Sequence, residues 1–426
     1  MISGTAGDTI VALSSGRVPA AIAVIRTSGR GAAAAATAVA GQLPEPRRAS
    51  LRALRSADGA LIDRGLVVFF PGPDTATGED VVEYQCHGSK AVVEALIESL
   101  VAQPAVRRAE PGEFTRRALT NGRIDLTQAE GLAELLEAES EVQRRSALLR
   151  AEGGLRRQVE EWRATLLALS AEAEVAIDYA DEEDAASAFD PAERIAALVA
   201  ATDRLLRSPR VERAREGVRL VVAGPPNAGK SSLVNALAGE ARAIVTHIPG
   251  TTRDLIEVPL NIGGVPVTLV DTAGLRTSTD TVEAIGIGLA RAAIERCDLL
   301  LWLGPAGLAP AHPCSLHIAS KSDLGRSAEG LPVSVISGEG LGAVRDWVLE
   351  RARPLLPSSE TAGLNAREAE LVAQCRDALV RAAGLSDPVL LAEELRMARA
   401  SLDQVTGHTG VDSLLDALFG RFCLGK

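Results

Sequence analysis

Aromatic residues are scarce in this chain of 426 residues, where Phe, Trp and Tyr together make up 3%. Hydrophobic residues still reach 46%, so we expect aliphatic cores and alanine-rich helices. Cysteines are also few, and no two of the five form a CxxC pair; they stand at Cys86, Cys297, Cys314, Cys375 and Cys423. This pattern argues against a disulfide scaffold and a zinc site, and it is typical of reduced cytosolic thiols.

An excess of positive charge is absent as well. The chain has 45 Lys and Arg residues against 56 Asp and Glu residues, a net charge of −11, which argues against wrapping nucleic acid by bulk electrostatics. No apolar run reaches the roughly 18 residues of a membrane span, and the N-terminus lacks the basic and apolar segments of a signal peptide. We therefore expect a soluble, cytoplasmic protein that does not bind a membrane.

The first half of the chain contains two different patterns. Residues 1–118 mix turn residues with short apolar runs, of which three are predicted strands: Ala20–Ile25, Gly65–Phe70 and Val81–Tyr84. From residue 119 to residue 216 the apolar residues follow helical spacing, almost without a break over Leu126–Ile177 except at Gly153-Gly154. The sequence therefore predicts an α+β domain over 1–118 and the first part of an all-α domain over 119–216.

The second half returns to a mixed pattern and then to helices. Residues 217–355 alternate short strands with helical segments, which is typical of a doubly wound α/β domain. The turn Gly263-Gly264 predicts a hairpin that adds one antiparallel strand to a parallel sheet. Residues 356–426 are helical again, and the predicted helices are Ala366–Ala382, Val389–Val405 and Asp412–Phe419. The simplest topology is an α/β domain inserted into an all-α domain built from both flanking parts.

A phosphate-binding pattern stands at the start of the α/β region. Residues 224–231 read GPPNAGKS and fit G-x-x-x-x-G-K-[ST] between an apolar strand and a helix. Lys230 supplies positive charge to the β- and γ-phosphates, Ser231 can ligate Mg²⁺, and the helix N-terminus adds its dipole. A glycine-rich turn without a ligand is the alternative. Asn227 either ligates a monovalent cation near the phosphates or is an ordinary turn residue.

Two further motifs follow in the order that a Ras-like GTPase requires. Asp271-Thr272-Ala273-Gly274 ends a strand, where the carboxylate can hold the metal through water and the Gly274 N–H can sense the γ-phosphate. Before it, residues 248–254 read IPGTTRD and offer Thr251 and Thr252 on a loop that can close over Mg²⁺. These motifs thus supply groups that can bind the phosphates and groups that can bind Mg²⁺. The predicted domain is a Ras-like P-loop G domain.

The base-binding motif departs from the usual Asn-Lys-x-Asp, because Ser320 replaces the asparagine. Asp323 can accept hydrogen bonds from the N1–H and N2–H₂ of guanine, which adenine cannot donate. Serine keeps one hydrogen-bonding group but loses reach, so we expect guanine selectivity to depend on Asp323. Ser337, after the last strand, is predicted to support the base with its N–H.

The residue that orients the attacking water is not evident. Leu275 stands where Ras-type enzymes carry a glutamine for this purpose, and it offers no polar group. Glu283 is close enough in sequence to supply a water-orienting carboxylate. The alternative is that Asp280 and Glu283 form a capping box for the next helix, and the residues alone leave both interpretations open.

Beyond these motifs, the chain resembles the MnmE (TrmE) family of tRNA-modification GTPases from end to end. The resemblance rests on the GTPase block and on four other segments, which read DTIVALSSGRVPAAIAVIRTSG, TGEDVVEYQCHGS, PGEFTRRALTNGRIDLTQAE and LAEELRMA…FCLGK. It implies an N-terminal tetrahydrofolate-binding domain that forms a homodimer, a helical domain, and an inserted G domain. This G domain has two short connections, between Trp302 and Ser320 and between Asp323 and Val333, and we expect it to keep all its strands.

The resemblance also implies a hydrolytic site that K⁺ activates when G domains associate across the dimer. Glu283 matches the family's catalytic glutamate, and Ser231 and Thr252 match its Mg²⁺ ligands. The K⁺ ligands correspond to Asn227, Thr246, Ile248 and Thr251. The motifs and the resemblance together predict the nucleotide-binding residues Asn227, Ala228, Gly229, Lys230, Ser231, Ser232, Thr246, His247, Ile248, Pro249, Gly250, Thr251, Thr252, Asp271, Thr272, Ala273, Gly274, Ser320, Lys321, Asp323 and Ser337.

The reaction implied by the resemblance is a tRNA modification. With the FAD-dependent partner MnmG, the family installs a carboxymethylaminomethyl or aminomethyl-type group at C5 of the wobble uridine in certain tRNAs. The one-carbon unit comes from a tetrahydrofolate derivative of the 5-formyl or 5,10-methylene type. Folate-binding positions correspond to Arg26, Glu83, Arg123 and Lys426. Position 123 is often lysine in the family, and the planar fork of arginine is a different donor.

The last four residues, Cys-Leu-Gly-Lys, place a cysteine where a prenylation box would carry one. The terminal lysine, the glycine before it and the lack of a polybasic segment argue against lipidation. A helix that ends in glycine with a basic residue nearby would look the same. The resemblance implies that this tail brings Lys426 to the folate site, with Cys423 either a functional thiol or a buried one.

Two other functions fit parts of the sequence. A regulatory GTPase switch, for example in ribosome assembly, would need only the G domain and predicts an RNA-binding module, of which the flanking parts show no sign. A stand-alone folate-dependent one-carbon transferase would leave the complete set of GTPase motifs without a purpose. The leading hypothesis is therefore a GTP-hydrolysing enzyme of tRNA modification.

Overall fold

A computed structural model of the chain describes residues 7–178, 191–240, 242–243, 256–271, 291–325, 329–357, 362–407, 418–419 and 425. The chain divides into two compact units. The first unit comprises Met1–Ala133 and Thr406–Lys426, and the second comprises Glu134–Val405. Among the described helices, none combines the length and the apolar character that crossing a lipid bilayer requires.

The described elements alternate between helix-rich and strand-rich stretches. The helices are α1 (Ala32–Ala40), α2 (Lys90–Val101), α3 (Glu113–Thr120), α4 (Leu126–Glu137), α5 (Glu141–Ala151), α6 (Gly154–Asp178), α7 (Ala192–Leu206), α8 (Val211–Glu216), α9 (Lys230–Glu240), α10 (Leu341–Ala352), α11 (Ala366–Ala382) and α12 (Pro388–Thr406). The strands are β1 (Thr9–Leu13), β2 (Ala20–Ser28), β3 (Ser50–Arg55), β4 (Leu61–Phe70), β5 (Val81–Gly88), β6 (Val106–Arg108), β7 (Val218–Ala223), β8 (Arg242–Ala243), β9 (Ile256–Ile262), β10 (Val265–Asp271), β11 (Leu299–Trp302), β12 (Ser315–Ser320) and β13 (Leu331–Val333).

The first unit is built on a six-stranded sheet of order β3-β4-β5-β2-β1-β6. Its strands pair antiparallel except β6, which runs parallel to β1. Side chains of α1 and α2 pack on one face around the buried Tyr84. The three strands predicted in this region are confirmed as parts of β2, β4 and β5. The sequence pattern did not predict α3, whose Phe114 packs on the other face against Ile10 and Ala12.

Residues from the end of the chain complete the first unit. Phe419 is fully buried against Gly112, where a Cβ atom would lie 2.6 Å from the Phe419 carbonyl oxygen. The Arg116 guanidinium lies 5.2 Å from the centre of the Phe419 ring. Gly425 is buried too, and its carbonyl oxygen accepts a hydrogen bond of 2.9 Å from Ser14 Oγ. The unit therefore depends on side chains from both ends of the sequence.

The long helical pattern after residue 126 is divided into three helices. α4 ends at Glu137, and α5 begins with a capping box in which Ser140 and Gln143 bind each other's backbone N–H groups. Gly153, at a φ of +78°, separates α5 from α6, as the sequence predicted. The helices predicted over Ala366–Ala382 and Val389–Val405 are confirmed as α11 and α12. Most of the predicted helix Asp412–Phe419 lies outside the described residues.

The inserted domain of the second unit is a doubly wound α/β domain. Its sheet has the order β13-β12-β11-β7-β10-β9-β8, with β7, β10, β11, β12 and β13 parallel. The predicted hairpin at Gly263-Gly264 is confirmed, because β9 pairs antiparallel with β10. On either side of β12, the described residues form the parallel strands β11 and β13. The fold class is thus confirmed: an α+β N-terminal domain, an all-α domain and an inserted Ras-like P-loop domain.

The chain enters the inserted domain through α8, which is fastened to the helical domain at three points. The Val211 N–H donates to the Leu364 carbonyl oxygen at 3.1 Å, and Glu212 accepts from the Ala366 N–H at 2.7 Å. Gln143 donates to the Ala214 carbonyl oxygen at 2.9 Å. The first two bonds join the segment before the inserted domain to the segment after it, and the third holds α8 to α5.

A fully buried arginine stands beside this junction. Arg150 on α5 donates to both carboxylate oxygens of Glu368 on α11, at 2.8 and 3.0 Å, and to the Gly363 carbonyl oxygen at 2.7 Å. Its Nε lies 3.2 Å from Glu134 on α4. Glu368 is also fully buried and caps α11 together with Asn365. One guanidinium thus links helices from the two flanking parts of the helical domain.

The buried charges around Arg150 also affect Glu134, whose pKa is raised above its ordinary value. Burial raises its pKa to about 7, and the charges of Glu368 and Glu212 raise it further while Arg150 opposes the shift. The carboxyl group of Glu134 is therefore partly protonated near neutral pH in the folded chain.

Replacing Arg150 by alanine should destabilise the second unit by about 3–5 kcal/mol, because it leaves Glu368 buried without a counter-charge. Arg145→Ala is the matched control, since Arg145 on the same helix forms an exposed ion pair with Glu141 worth less than about 1 kcal/mol. Urea unfolding followed by circular dichroism measures both. Equal unfolding midpoints for the two variants would contradict this role of Arg150.

Glu134→Gln should flatten the pH dependence of stability. Between the ordinary pKa of 4.5 and the raised value of about 7, the folded chain binds more protons than the unfolded one. The wild type should therefore lose stability as the pH rises through this range, and the variant should not. Unfolding midpoints measured across the range test this, with Glu161→Gln on the exposed side of α6 as control. A wild-type slope that Glu134→Gln leaves unchanged would refute the assignment.

Candidate functional sites

The phosphate-binding loop is held in shape by its own sequence. It runs from the end of β7 to Lys230, the first residue of α9. Gly224 has a φ of +150°, and a Cβ atom there would lie 2.3 Å from the Leu303 carbonyl oxygen, so only glycine fits. Asn227 has a φ of +60° and is exposed at the crest of the loop. Asparagine tolerates this left-handed conformation better than most residues do.

The Lys230 ammonium lies inside the curve of the loop. It donates to the Gly224 carbonyl oxygen at 2.9 Å and to the Pro225 carbonyl oxygen at 3.0 Å. Ser231 and Ser232 follow it, exposed in the first turn of α9, where the N–H groups of a helix favour anions. The geometry brings a cation, exposed hydroxyl groups and a helix N-terminus to one place, which suits a polyphosphate.

The base-binding motif contacts the phosphate loop directly. Ser320, the last residue of β12, donates through Oγ to the Ala228 carbonyl oxygen at 2.6 Å. Lys321 donates through Nζ to the Asn227 carbonyl oxygen at 3.0 Å. Ser320 therefore reaches the loop although it is shorter than asparagine. The carboxylate of Asp323 is exposed, and no partner for it occurs in the part of the chain that the structure describes.

The turn after β13 shows a partner that the sequence analysis missed. The Ser337 N–H, which we expected to support the base, donates to Ser334 Oγ at 3.2 Å, and the Gly338 N–H donates to the Ser334 carbonyl oxygen at 2.9 Å. Ser334 is fully buried. The N–H groups of Val335 and Ile336 have no acceptor among the described residues. The N–H groups of Ser337 and Gly338 are therefore engaged within the turn.

Several predicted nucleotide residues lie outside the described part of the chain. Asp271 is described through its backbone alone, at the end of β10 beside Val222 of β7. Outside the described residues lie the rest of that motif, the cation loop, the predicted catalytic glutamate and part of the tail: Thr246, His247, Ile248, Pro249, Gly250, Thr251, Thr252, Thr272, Ala273, Gly274, Glu283, Cys423 and Lys426.

The first unit brings two of the predicted folate residues together. Arg26 of β2 and Glu83 of β5 face each other in the sheet, and Arg26 donates twice to Glu83 Oε1, at 2.7 and 3.0 Å. Their side chains are 24% and 20% exposed. Arg26 Nη1 and Glu83 Oε2 have no partner among the described residues, so the pair keeps one donor and one acceptor for a ligand.

Arg123 lies elsewhere in the first unit. It donates to the Thr75 carbonyl oxygen at 3.1 Å and to Asp74 at 2.7 Å, both in the connection between β4 and β5. No hydrogen bond among the described residues links it with Arg26 or Glu83.

An ionic network that the sequence analysis missed holds this same connection. Arg117 of α3 binds Glu79 at 3.1 Å and Asp8 at 2.7 Å, while Asn121 donates to the Thr77 carbonyl oxygen at 2.7 Å. Glu79 also accepts from Ser28 at 2.7 Å, two residues beyond Arg26 on β2. The network therefore positions the connection beside the strand that carries Arg26.

The end of the chain reaches the same sheet. Ser14, which holds the Gly425 carbonyl oxygen, directly follows β1, and Ala12 of β1 stands opposite Arg26 of β2. Two residues along a strand span roughly 7 Å. The buried Gly425 is thus within a short reach of the strand position of Arg26.

Comparison with known proteins identifies the family. The model described as "GTP-binding protein TrmE N-terminus" matches residues 9–123, and the "MnmE helical domain" model matches residues 126–423. A tRNA modification GTPase MnmE from Novosphingobium aromaticivorans is 50% identical over 98% of this chain and 100% of its own length. The chain belongs to the MnmE family.

Other MnmE relatives show the same end-to-end similarity. The tRNA modification GTPase MnmE of Rhizorhabdus wittichii is 51% identical over 99% of this chain and 97% of its own length. The one from Erythrobacter litoralis is 48% identical over 98% of this chain and 100% of its own length. Among solved structures, the G domain of the T. maritima FeoB iron transporter aligns with 32% of this chain and 98% of its own, with 23% identity and a TM-score of 0.25.

Proposed function

We propose that this chain hydrolyses GTP and thereby drives the modification of C5 of the wobble uridine in certain tRNAs. The observation that carries this proposal is its similarity to curated tRNA modification GTPases over almost the whole length of both chains. The proposed partner is an FAD-dependent MnmG, and the group installed is of the carboxymethylaminomethyl or aminomethyl type. A regulatory switch without modification chemistry would leave the N-terminal and helical family matches without a role.

GTP would bind along the loop between β7 and α9. Lys230 would exchange its two loop carbonyl partners for phosphate oxygens, which are stronger acceptors because they are charged. Ser231 and Thr252 would hold Mg²⁺. Asp323, an exposed carboxylate without a described partner, would accept from the N1–H and N2–H₂ of guanine.

Hydrolysis would depend on residues around the phosphate loop. Glu283 would orient the attacking water, a role in which a positioned carboxylate typically accelerates a reaction roughly 10²–10⁴-fold. Asn227 would hold K⁺ together with Thr246, Ile248 and Thr251, and this ion supplies positive charge beside the phosphates. The exposure of Asn227 at the crest of the loop supports this assignment.

A tetrahydrofolate derivative would bind at the pair formed by Arg26 and Glu83. The pterin ring offers N–H donors that suit the free Oε2 of Glu83, and the anionic glutamate tail suits cations such as Arg26 and Lys426. The contact between Ser14 and Gly425 supports the inclusion of Lys426, because it fixes the neighbouring residue at this sheet. When bound, the folate supplies the one-carbon unit.

The open face of the first unit's sheet would form the homodimer. Leu51 of β3 stands opposite Leu66 of β4, and their exposed fractions are 61% and 39%. Ile22 of β2 is 62% exposed. Apolar side chains at neighbouring positions on one sheet face favour burial against a second copy of the chain.

Loss of wobble-uridine modification is the decisive test. A bacterial strain that lacks its own MnmE should recover the modification with the wild-type gene and not with Glu283→Ala, as measured by nucleoside analysis of its tRNA. The variant should still bind GDP, because Glu283 acts on water and not on the nucleotide. Modified wobble uridine in the strain without any complementing gene would overturn the proposal.

The same variant separates hydrolysis from binding in vitro. GTP turnover should fall roughly 100-fold or more in Glu283→Ala if the carboxylate positions water. Wild-type turnover should be faster in KCl than in NaCl at equal ionic strength. Equal rates in the two salts would remove the K⁺ role assigned to Asn227.

Glu83→Gln should weaken binding of 5-formyl-tetrahydrofolate by about 10–100-fold, because a hydrogen bond to a charged group contributes about 1.5–3 kcal/mol. Isothermal titration calorimetry measures this directly. Asp58→Asn in the turn between β3 and β4 is the control and should bind the folate as the wild type does. Unchanged affinity in Glu83→Gln would exclude Glu83 from the site.

A further inference from the structure

Two consecutive side chains of the base-binding motif hold two consecutive carbonyl groups of the phosphate loop. Ser320 donates to Ala228 at 2.6 Å, and Lys321 donates to Asn227 at 3.0 Å. Lys321 has a φ of +61°, a conformation that non-glycine residues adopt rarely and that directs its side chain away from the run of β12. The motif therefore acts as a brace that connects the end of β12 with the crest of the loop.

The chemistry of the Ser320 hydroxyl limits what else it can do. A hydroxyl group has one hydrogen, and a carbonyl oxygen can only accept, so the hydrogen of Ser320 is committed to Ala228. Guanine presents N7 and O6 as acceptors on its major-groove edge. Ser320 cannot donate to either acceptor while the brace is intact. An asparagine amide carries two N–H hydrogens and has no such conflict.

The remaining groups of the site suit other atoms of the base than N7. Asp323 is exposed and has no partner in the described part of the chain, and as a carboxylate it accepts only. The free N–H groups of Val335 and Ile336 suit the O6 acceptor. Asp323 cannot donate to N7, and among the described side chains of the base-binding motif the hydroxyl at the end of β12 is engaged with the phosphate loop.

We propose that this site recognises guanine without reading its N7, and that Ser320 serves only as a brace of the phosphate loop. Guanine is selected through its N1–H and N2–H₂ at Asp323, and the hydroxyl of Ser320 keeps the Ala228 peptide in place for the phosphates. The inference rests on the proposed binding of GTP and adds to it the set of base atoms that the site distinguishes.

Calorimetric titration of the full-length chain with GDP and with 7-deaza-GDP tests the proposal, because the analogue differs only in lacking the N7 acceptor. The wild type should bind the two with dissociation constants within about twofold of each other. Ser320→Ala should weaken both by the same factor, about 3–10-fold, as expected for one lost hydrogen bond. Ser322→Ala is the matched control, because Ser322 donates to Glu339 and not to the loop, and it should change neither constant.

Ser320→Asn provides the converse test. Its second N–H should restore a preference for GDP over 7-deaza-GDP of about fivefold or more. A wild-type preference of that size would overturn the proposal, and so would unchanged affinities in Ser320→Ala. If the wild-type chain bound neither nucleotide, the proposed GTP binding would fail, and this inference would fail with it.

Discussion

The bidentate ion pair between Arg150 and Glu368 is the interaction on which the second unit depends. It joins α5, which precedes the inserted domain, to α11, which follows it, and both side chains are fully buried. Removing water from two charges is costly, so such a pair is favourable only when its geometry satisfies both partners. Here Arg150 also donates to the Gly363 carbonyl oxygen, Glu368 also caps α11, and Arg150 Nε lies 3.2 Å from Glu134. The two halves of the helical domain thus meet in one orientation, which fixes where the inserted domain is attached.

The nucleotide site is likewise stabilised by hydrogen bonds between its own residues. Lys230 and Ser320 both donate to carbonyl groups of the phosphate loop, one from inside its curve and one from outside. These contacts keep the loop ordered without relying on a nucleotide, which lowers the entropic cost of binding one. The same contacts decide which donors remain for the base. Loop order and base recognition are therefore coupled through the single hydrogen of one hydroxyl group.

Local patterns predicted much of this fold, and the exceptions have physical causes. The hairpin at Gly263-Gly264 and the phosphate loop are encoded within a few residues, so spacing alone identifies them. The break before α5 was missed because helix-forming residues continue up to Ser140, although Ser140 and Gln143 have the spacing of a capping box. The brace between Ser320 and Ala228 spans 92 positions, and no local pattern reports a contact at that distance.

The contact between Ser14 and Gly425 affects how the protein folds during its synthesis. These residues are 411 positions apart, and Phe419, which fills the space against Gly112, is also made near the end. At a typical rate of roughly 5–20 residues per second, Gly425 is synthesised about 20–80 s after Ser14. During that time the surface later covered by Phe419 is exposed to chaperones and proteases. The sheet that contains β1 is therefore completed only after the inserted domain has been synthesised.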